Sequence, residues 1–307
     1  MPNYVLEIKN ISKKYKNTLA LENVSISIKK GDIYGFIGEN GAGKTTLIRM
    51  ITGLGFPNKG EIKLFGESET TKLDNQRKRI GCIIESPALY SNMTANQNLE
   101  IIRVQRGIPG SSCIDEVLKI VNLQDTGNKK VKNFSLGMKQ RLALAIALLG
   151  DPEFLILDEA VNGLDPSGIV EFRNLLKKLN KERGITILIS SHLLNELNQL
   201  ATCYGFIHKG KIVEQITAKE LDERCTKHIN IKVDNVENAA FIIENNLNIE
   251  EFEVFPNNTI KIYNHLDEVK KISNEIVVNG IGIESINVQG EDLESYFTRL
   301  IGGATNV

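Results

Sequence analysis

The chain has 307 residues, 41% of them hydrophobic, which is enough for one large domain or two smaller ones with a substantial core. The 37 Lys and Arg residues nearly balance the 38 Asp and Glu residues, and a net charge of −1 argues against DNA or RNA as the main partner. The four cysteines lie far apart and form no Cys-x-x-Cys pair, which argues against a zinc or redox site and favours free thiols in a reducing compartment.

The first part of the chain alternates between strand and helix patterns. Strands are predicted over residues 4–8, 21–28, 33–37, 61–65 and 80–84. The third of these is nearly all apolar, runs into a glycine-rich segment and is followed by a helix over 44–51. Strand, glycine loop and helix in this order indicate a buried parallel strand before its crossover.

Residues from about 94 to 150 have a helical texture, with a capping box from Thr94 to Gln97 at one helix start. Two short apolar runs, 154–157 and 185–189, are typical of buried strands, and a helix is predicted over 169–180 between them. Residues 204–214 resemble a hairpin that turns at Lys209-Gly210.

The pattern changes after residue 217. The order of predicted elements becomes β-α-β-β-α-β, which suggests a small separate α+β unit. We therefore expect an α/β domain over 1–217, with a helical subdomain over about 90–150, and an accessory α+β domain over 218–307.

The glycine-rich segment satisfies the pattern G-x-x-x-x-G-K-[ST] between a strand and a helix. Its glycines allow backbone N–H groups to surround phosphate oxygens, and the helix N-terminus adds partial positive charge there. Lys44 is expected to reach the β- and γ-phosphates of ATP, and Thr45 to ligate Mg²⁺. The residues expected to bind the nucleotide are Gly38, Asn40, Gly41, Gly43, Lys44, Thr45 and Thr46.

A second motif is the apolar run that ends in Asp158-Glu159. A carboxylate at the end of a buried strand can lie beside the phosphate loop of a parallel sheet. Asp158 is expected to hold Mg²⁺ directly or through water, and Glu159 to orient or deprotonate the attacking water. The pair is a weak signal by itself, and the phosphate loop upstream makes it a strong one.

Residues 134–141 read Phe-Ser-Leu-Gly-Met-Lys-Gln-Arg, and on their own they predict a helix start with Ser135 as N-cap. The segment resembles the signature of ABC transporter ATP-binding subunits, usually Leu-Ser-Gly-Gly-Gln, and lies between the other two motifs as it does there. Ser135 and Gly137 match, whereas Leu136 and Met138 depart. The resemblance implies a homodimer, or a pair with another ABC subunit, in which this segment contacts ATP held by the opposite subunit.

Three further residues match the family. Asp165, in Gly-Leu-Asp-Pro, resembles the D-loop aspartate near the dimer seam, and His192 resembles the switch histidine at the γ-phosphate. Tyr15 resembles the aromatic residue that stacks on adenine.

Glu85 departs from the family pattern, because most ABC subunits carry Gln after this strand, where it touches Mg²⁺ or water and senses the membrane subunit. The glutamate and the variant signature resemble the subgroup that exports bacitracin and lantibiotics or protects their producers. The resemblance implies that Glu85 keeps a catalytic coupling role and a place near the metal.

The function implied is that of an ATP-hydrolysing subunit of an antimicrobial-peptide exporter. Neither a signal peptide nor a run of about 18 apolar residues is visible, so a separately encoded permease would hold this cytoplasmic chain at the inner face of the membrane. An exporter of another drug-like substrate remains open. A soluble ABC ATPase of DNA repair or translation is disfavoured by the single cassette without heptads, and a binding module without turnover is disfavoured by Glu159.

Overall fold

The computed structural model describes residues 3–85, 88–191, 197–225, 227–289 and 293–304. The chain divides into two compact units. The first contains Met1–Ala218 with Ala304–Val307, and the second contains Lys219–Gly303.

Three strands of the first unit form an antiparallel sheet in the order β2-β1-β4. Their bounds are Tyr4–Tyr15 for β1, Thr18–Lys29 for β2 and Lys59–Leu64 for β4. Irregular register between β1 and β2 allows both strands to run for 12 residues, well beyond the stretches that alternate in sequence.

The central sheet of the first unit has six strands in the order β5-β6-β7-β3-β8-β9, all parallel except the last. Their bounds are Ile33–Ile37 for β3, Ile80–Ile83 for β5, Phe154–Asp158 for β6, Thr186–Ser191 for β7, Cys203–His208 for β8 and Lys211–Thr217 for β9. Every residue of β3, β6 and β7 is buried, which explains their unbroken apolar runs. Their carboxyl ends meet at one edge of the sheet.

Within the described ranges, helices whose two ends are both defined connect the strands of the first unit. They are α1 (Lys44–Ile51), α2 (Thr70–Arg77), α3 (Ala95–Gln105), α4 (Ser112–Ile120), α5 (Leu136–Leu148) and α6 (Pro166–Arg183). Two short 3-10 helices, Gln124–Thr126 and Val131–Asn133, precede α5. The predicted capping box is confirmed, because Thr94 accepts from the Gln97 amide and the Gln97 side chain accepts from the Thr94 amide.

The second unit contains a four-stranded antiparallel sheet in the order β11-β12-β10-β13. Its elements are α7 (Ala218–Arg224), β10 (His228–Val233), α8 (Val236–Asn245), β11 (Phe252–Phe255), β12 (Thr259–Ile262), α9 (Val269–Val278), β13 (Ile283–Gln289) and α10 (Leu293–Ala304). The predicted β-α-β-β-α-β order is confirmed, and this strand order is that of a ferredoxin-like unit. Isoleucines from β10, β12, α8 and α9 form its own buried core.

No helix in the described ranges has both the length and the apolar character needed to span a bilayer.

Candidate functional site

The loop between β3 and α1 depends on glycine for steric reasons. A Cβ atom at Gly38 would lie 2.5 Å from the Ile207 carbonyl oxygen. Gly43 caps α1 with a φ of 111°, and a Cβ there would lie 2.7 Å from Leu21 Cδ2. Backbone is therefore packed closely on both sides of the loop, which holds its N–H groups in place.

Lys44 is only 5% exposed. Its Nζ atom donates to the carbonyl oxygens of Gly38 at 2.7 Å and Glu39 at 3.3 Å, and it lies 3.2 Å from Glu159 Oε1. Such partners are what a buried ammonium group requires. The loop therefore presents a fixed positive charge to a cavity of about 200 Å³.

That cavity collects most of the residues predicted to bind nucleotide. Its lining includes Asn40, Gly41, Gly43, Lys44, Thr45, Thr46 and Glu159. Backbone donors, a helix N-terminus and a buried lysine give it the chemistry of a phosphate site.

Thr45 and Asp158 meet at the edge of the central sheet. Thr45 Oγ1 donates to Asp158 Oδ2 at 2.7 Å, and the Ser190 hydroxyl donates to Oδ1 of the same carboxylate. Asp158 is 1% exposed, so these bonds compensate a buried charge. A hydroxyl and a carboxylate are hard oxygen ligands, which fits Mg²⁺.

The described residues contain no cluster of three or more His, Cys, Asp or Glu side chains that could cage a metal ion by themselves. Mg²⁺ keeps several waters and usually binds through one or two protein oxygens together with substrate phosphates. The Thr45–Asp158 pair is therefore suited to a metal that arrives with a nucleotide.

Glu159 occupies the left-handed backbone region, with a φ of 52°. Its amide donates to the Ser190 carbonyl oxygen at 3.2 Å and lies 3.1 Å from the Ser190 hydroxyl oxygen, which fixes this strained turn after β6. Its side chain reaches the Lys44 ammonium on one oxygen and accepts from Asn162 Nδ2 at 2.9 Å on the other. The carboxylate is thus oriented toward the phosphate loop.

The signature segment begins α5 as predicted. Ser135 is the N-cap, and its hydroxyl accepts from the Met138 amide at 3.2 Å. Ser135, Gly137 and Asp165 line one cavity of about 410 Å³, so the N-termini of α5 and α6 lie side by side. Asp165 caps α6 in turn, and hydrogen bonds from the Ser167 hydroxyl and the Gly168 amide lower the pKa of its carboxyl group.

The structure does not bring the remaining three predicted site residues, Glu85, Tyr15 and His192, to the phosphate cavity within its described part. Glu85 pairs with Arg49, with 2.6 Å between Oε1 and Nη2, and it shares a cavity of about 440 Å³ with Glu159 but forms no hydrogen bond to Thr45. Tyr15 ends β1, is 46% exposed and does not line the phosphate cavity. His192 lies outside the described residues.

Sequence reasoning missed two residues of the site. Ser190 bonds both Asp158 and the Glu159 backbone, and Asn162 bonds the Glu159 side chain. The only available signals were that Ser190 ends a buried strand and that Asn162 follows Glu159 by three residues.

The model of the ABC transporter family matches residues 21–162. The bacitracin transport ATP-binding protein BcrA of Bacillus licheniformis is 44% identical over 301 residues, covering 98% of each chain. The chain belongs to the ABC transporter family. The lantibiotic transport ATP-binding protein SrtF of Streptococcus pyogenes is 44% identical over 209 residues, covering 68% of this ABC chain and 89% of SrtF.

A solved ABC structure gives the corresponding fold. The dimeric post-hydrolysis state of the ATP-binding cassette MJ0796, bound to ADP and Pi, superposes with a TM-score of 0.63 at 27% identity, covering 69% of this chain and 98% of that one. The predicted fold class is confirmed. The chain is an ABC ATPase that binds ATP.

Proposed function

We propose that this ABC ATPase energises the export of antimicrobial peptides of the bacitracin or lantibiotic type. The observation that carries the proposal is the 44% identity to a bacitracin transport ATP-binding protein over 98% of both chains, which includes the second unit as well as the nucleotide-binding unit. The partners are a second ABC subunit and separately encoded permease subunits, which hold the chain at the inner face of the membrane.

In the proposed mechanism, Lys44 and the loop amides bind the phosphates, while Thr45 and Asp158 hold Mg²⁺. When bound, Mg²⁺ neutralises charge on the phosphate oxygens. Glu159 accepts a proton from the attacking water or orients it, because its carboxylate is fixed beside Lys44 at the mouth of the loop. Ser190 keeps Asp158 aligned, and Arg49 holds Glu85 at the start of the segment that would sense the permease.

Ser135, Gly137 and Asp165 act across the dimer seam in this proposal. They surround one cavity at two adjacent helix N-termini, where partial positive charge favours the γ-phosphate of ATP on the opposite subunit. ATP therefore closes the dimer, and hydrolysis with loss of the γ-phosphate opens it. That motion would drive the permease.

The test is deletion of the chain in its source cell, followed by growth-inhibition assays with bacitracin, several lantibiotics and unrelated drugs. Complementation uses the wild-type chain, Glu159→Gln and, as a matched control, Glu182→Gln on the exposed surface of α6. We expect selective sensitivity to one peptide that the wild type and Glu182→Gln rescue and Glu159→Gln does not. Unchanged sensitivity to every peptide would refute the proposed substrate class while leaving the ATPase assignment in place.

A further inference from the structure

Asn162 lies between the proposed catalytic carboxylate and a cavity. Its Nδ2 atom donates to Glu159 Oε2 at 2.9 Å, and both residues line the cavity of about 440 Å³ that is separate from the phosphate cavity. A carboxylate only accepts hydrogen bonds, so the amide must present its NH₂ group to Glu159. Its carbonyl oxygen is thereby committed to a different donor.

That oxygen lacks a donor within the described part of the chain. Asn162 Oδ1 is buried, and no protein group in the described ranges donates to it. A buried acceptor without a partner costs free energy, and native proteins satisfy such atoms with ordered water where there is room. The cavity is many times larger than one water molecule requires.

Gln140 provides a second acceptor at the same cavity. It lies on α5, five residues after the Ser135 cap, and is only 6% exposed. Its Oε1 atom is likewise buried and accepts from no group in the ranges that the structure describes. Two neutral acceptors and a carboxylate around one cavity suit a small molecule with two donors, which is water.

We propose that Asn162 is a positioning residue for Glu159 and that Asn162 and Gln140 hold a water molecule beside it. The inference rests on the proposed role of Glu159 in hydrolysis. The Asn162 NH₂ group fixes the rotamer of the Glu159 carboxylate by donating to it. The water molecule fixes Asn162 in turn by donating to Asn162 Oδ1. Gln140 extends this series of hydrogen bonds to α5, so the orientation of Glu159 depends on the position of α5.

The experiment measures ATP hydrolysis by the purified full chain under steady-state and single-turnover conditions. Asn162→Asp keeps the size of the side chain and its acceptor but loses the donor, and Asn162→Ala loses both. We expect either change to lower kcat roughly 10-fold to 100-fold with little change in KM, because misplacement of a catalytic group costs about that much. Exposed Asn128 provides the control Asn128→Ala.

The same substitutions are then made in a Glu159→Gln background. If Asn162 acts through Glu159, they should change the residual single-turnover rate by less than about twofold, since groups that act as a unit are not additive. An equal fractional loss in both backgrounds would show a general structural role and overturn the inference, as would a wild-type kcat for Asn162→Asp.

Gln140→Met tests the water. It preserves length and removes the acceptor, and we expect it to lower kcat with KM unchanged. A wild-type kcat for this variant would overturn the shared water molecule. A wild-type rate for Glu159→Gln itself would instead refute the catalytic role of Glu159, on which the Asn162 and water inferences rest. Failure of the inference and failure of the proposed mechanism therefore give different results.

Discussion

The substitution Gly81→Ala should displace α5, the helix that contains most of the signature segment, relative to the central sheet. A Cβ atom at this position in β5 would lie 2.2 Å from the Ala147 carbonyl oxygen of α5 and 2.8 Å from Leu155 Cδ2. Ordinary contact begins near 3.4 Å, so α5 must move by about 1 Å. Overpacking of this kind costs about 1–3 kcal/mol. A loss of 1 kcal/mol lowers Tm by about 2–4 °C in a unit of this size, so we expect Tm to fall by roughly 2–12 °C.

The displacement should also reach catalysis, because α5 begins at the Ser135 cap. We expect Gly81→Ala to lower the ATPase rate about 10-fold. Differential scanning calorimetry and a coupled ATPase assay measure the two effects. The matched control is Gly55→Ala, whose Cβ would meet only Met50 Cγ, at 3.9 Å. A Gly81→Ala protein with the Tm and rate of Gly55→Ala would refute the close packing of α5 on β5.

Three other predictions concern the rest of the molecule. Burial raises the pKa of the Cys203 thiol to about 12. Iodoacetamide at pH 8 should therefore modify Cys203 far more slowly than half-buried Cys113, as measured by peptide mass spectrometry. Equal modification rates for the two thiols would contradict this. Ile231→Ala should destabilise the second unit by about 2–5 kcal/mol in calorimetry, whereas Val278→Ala at an 83% exposed position should not. Because the pKa of Asp165 is lowered in the folded chain, its stabilising charge is present at neutral pH and is lost as pH falls through that pKa. The Tm advantage of the wild type over Asp165→Asn should therefore shrink on acidification, and a constant difference would rule the effect out.

The sequence predicts the local geometry of the phosphate loop well, because the residues that form the loop lie close together in the chain. Glycine spacing, Lys44 and Thr45 define the loop within eight residues, and a buried parallel strand delivers Asp158 to the same sheet edge. The Ser135 cap was equally readable, since N-caps are set by the side chain and the next turn.

Other contacts were not readable, because they depend on how distant segments pack. The Ser190–Asp158 bond requires the register between β6 and β7, which two uniformly apolar strands do not encode. The Arg49 partner of Glu85 and the Asn162 partner of Glu159 depend on the conformation of tight turns with positive φ. The roles predicted for the individual site residues, including Glu85, Tyr15 and His192, remain predictions.

The hydrogen bonds around Asp158 join segments that are 113 and 32 residues apart in the chain, at Thr45 and Ser190. A nascent chain that has emerged only as far as the phosphate loop therefore carries the motif without the site. Nucleotide capture must wait until strands far apart in synthesis have paired. ATP in excess of its Kd then stabilises the completed fold, by about 2.7 kcal/mol at a concentration of 100 times Kd. Cellular ATP would thus favour finished subunits over incomplete ones.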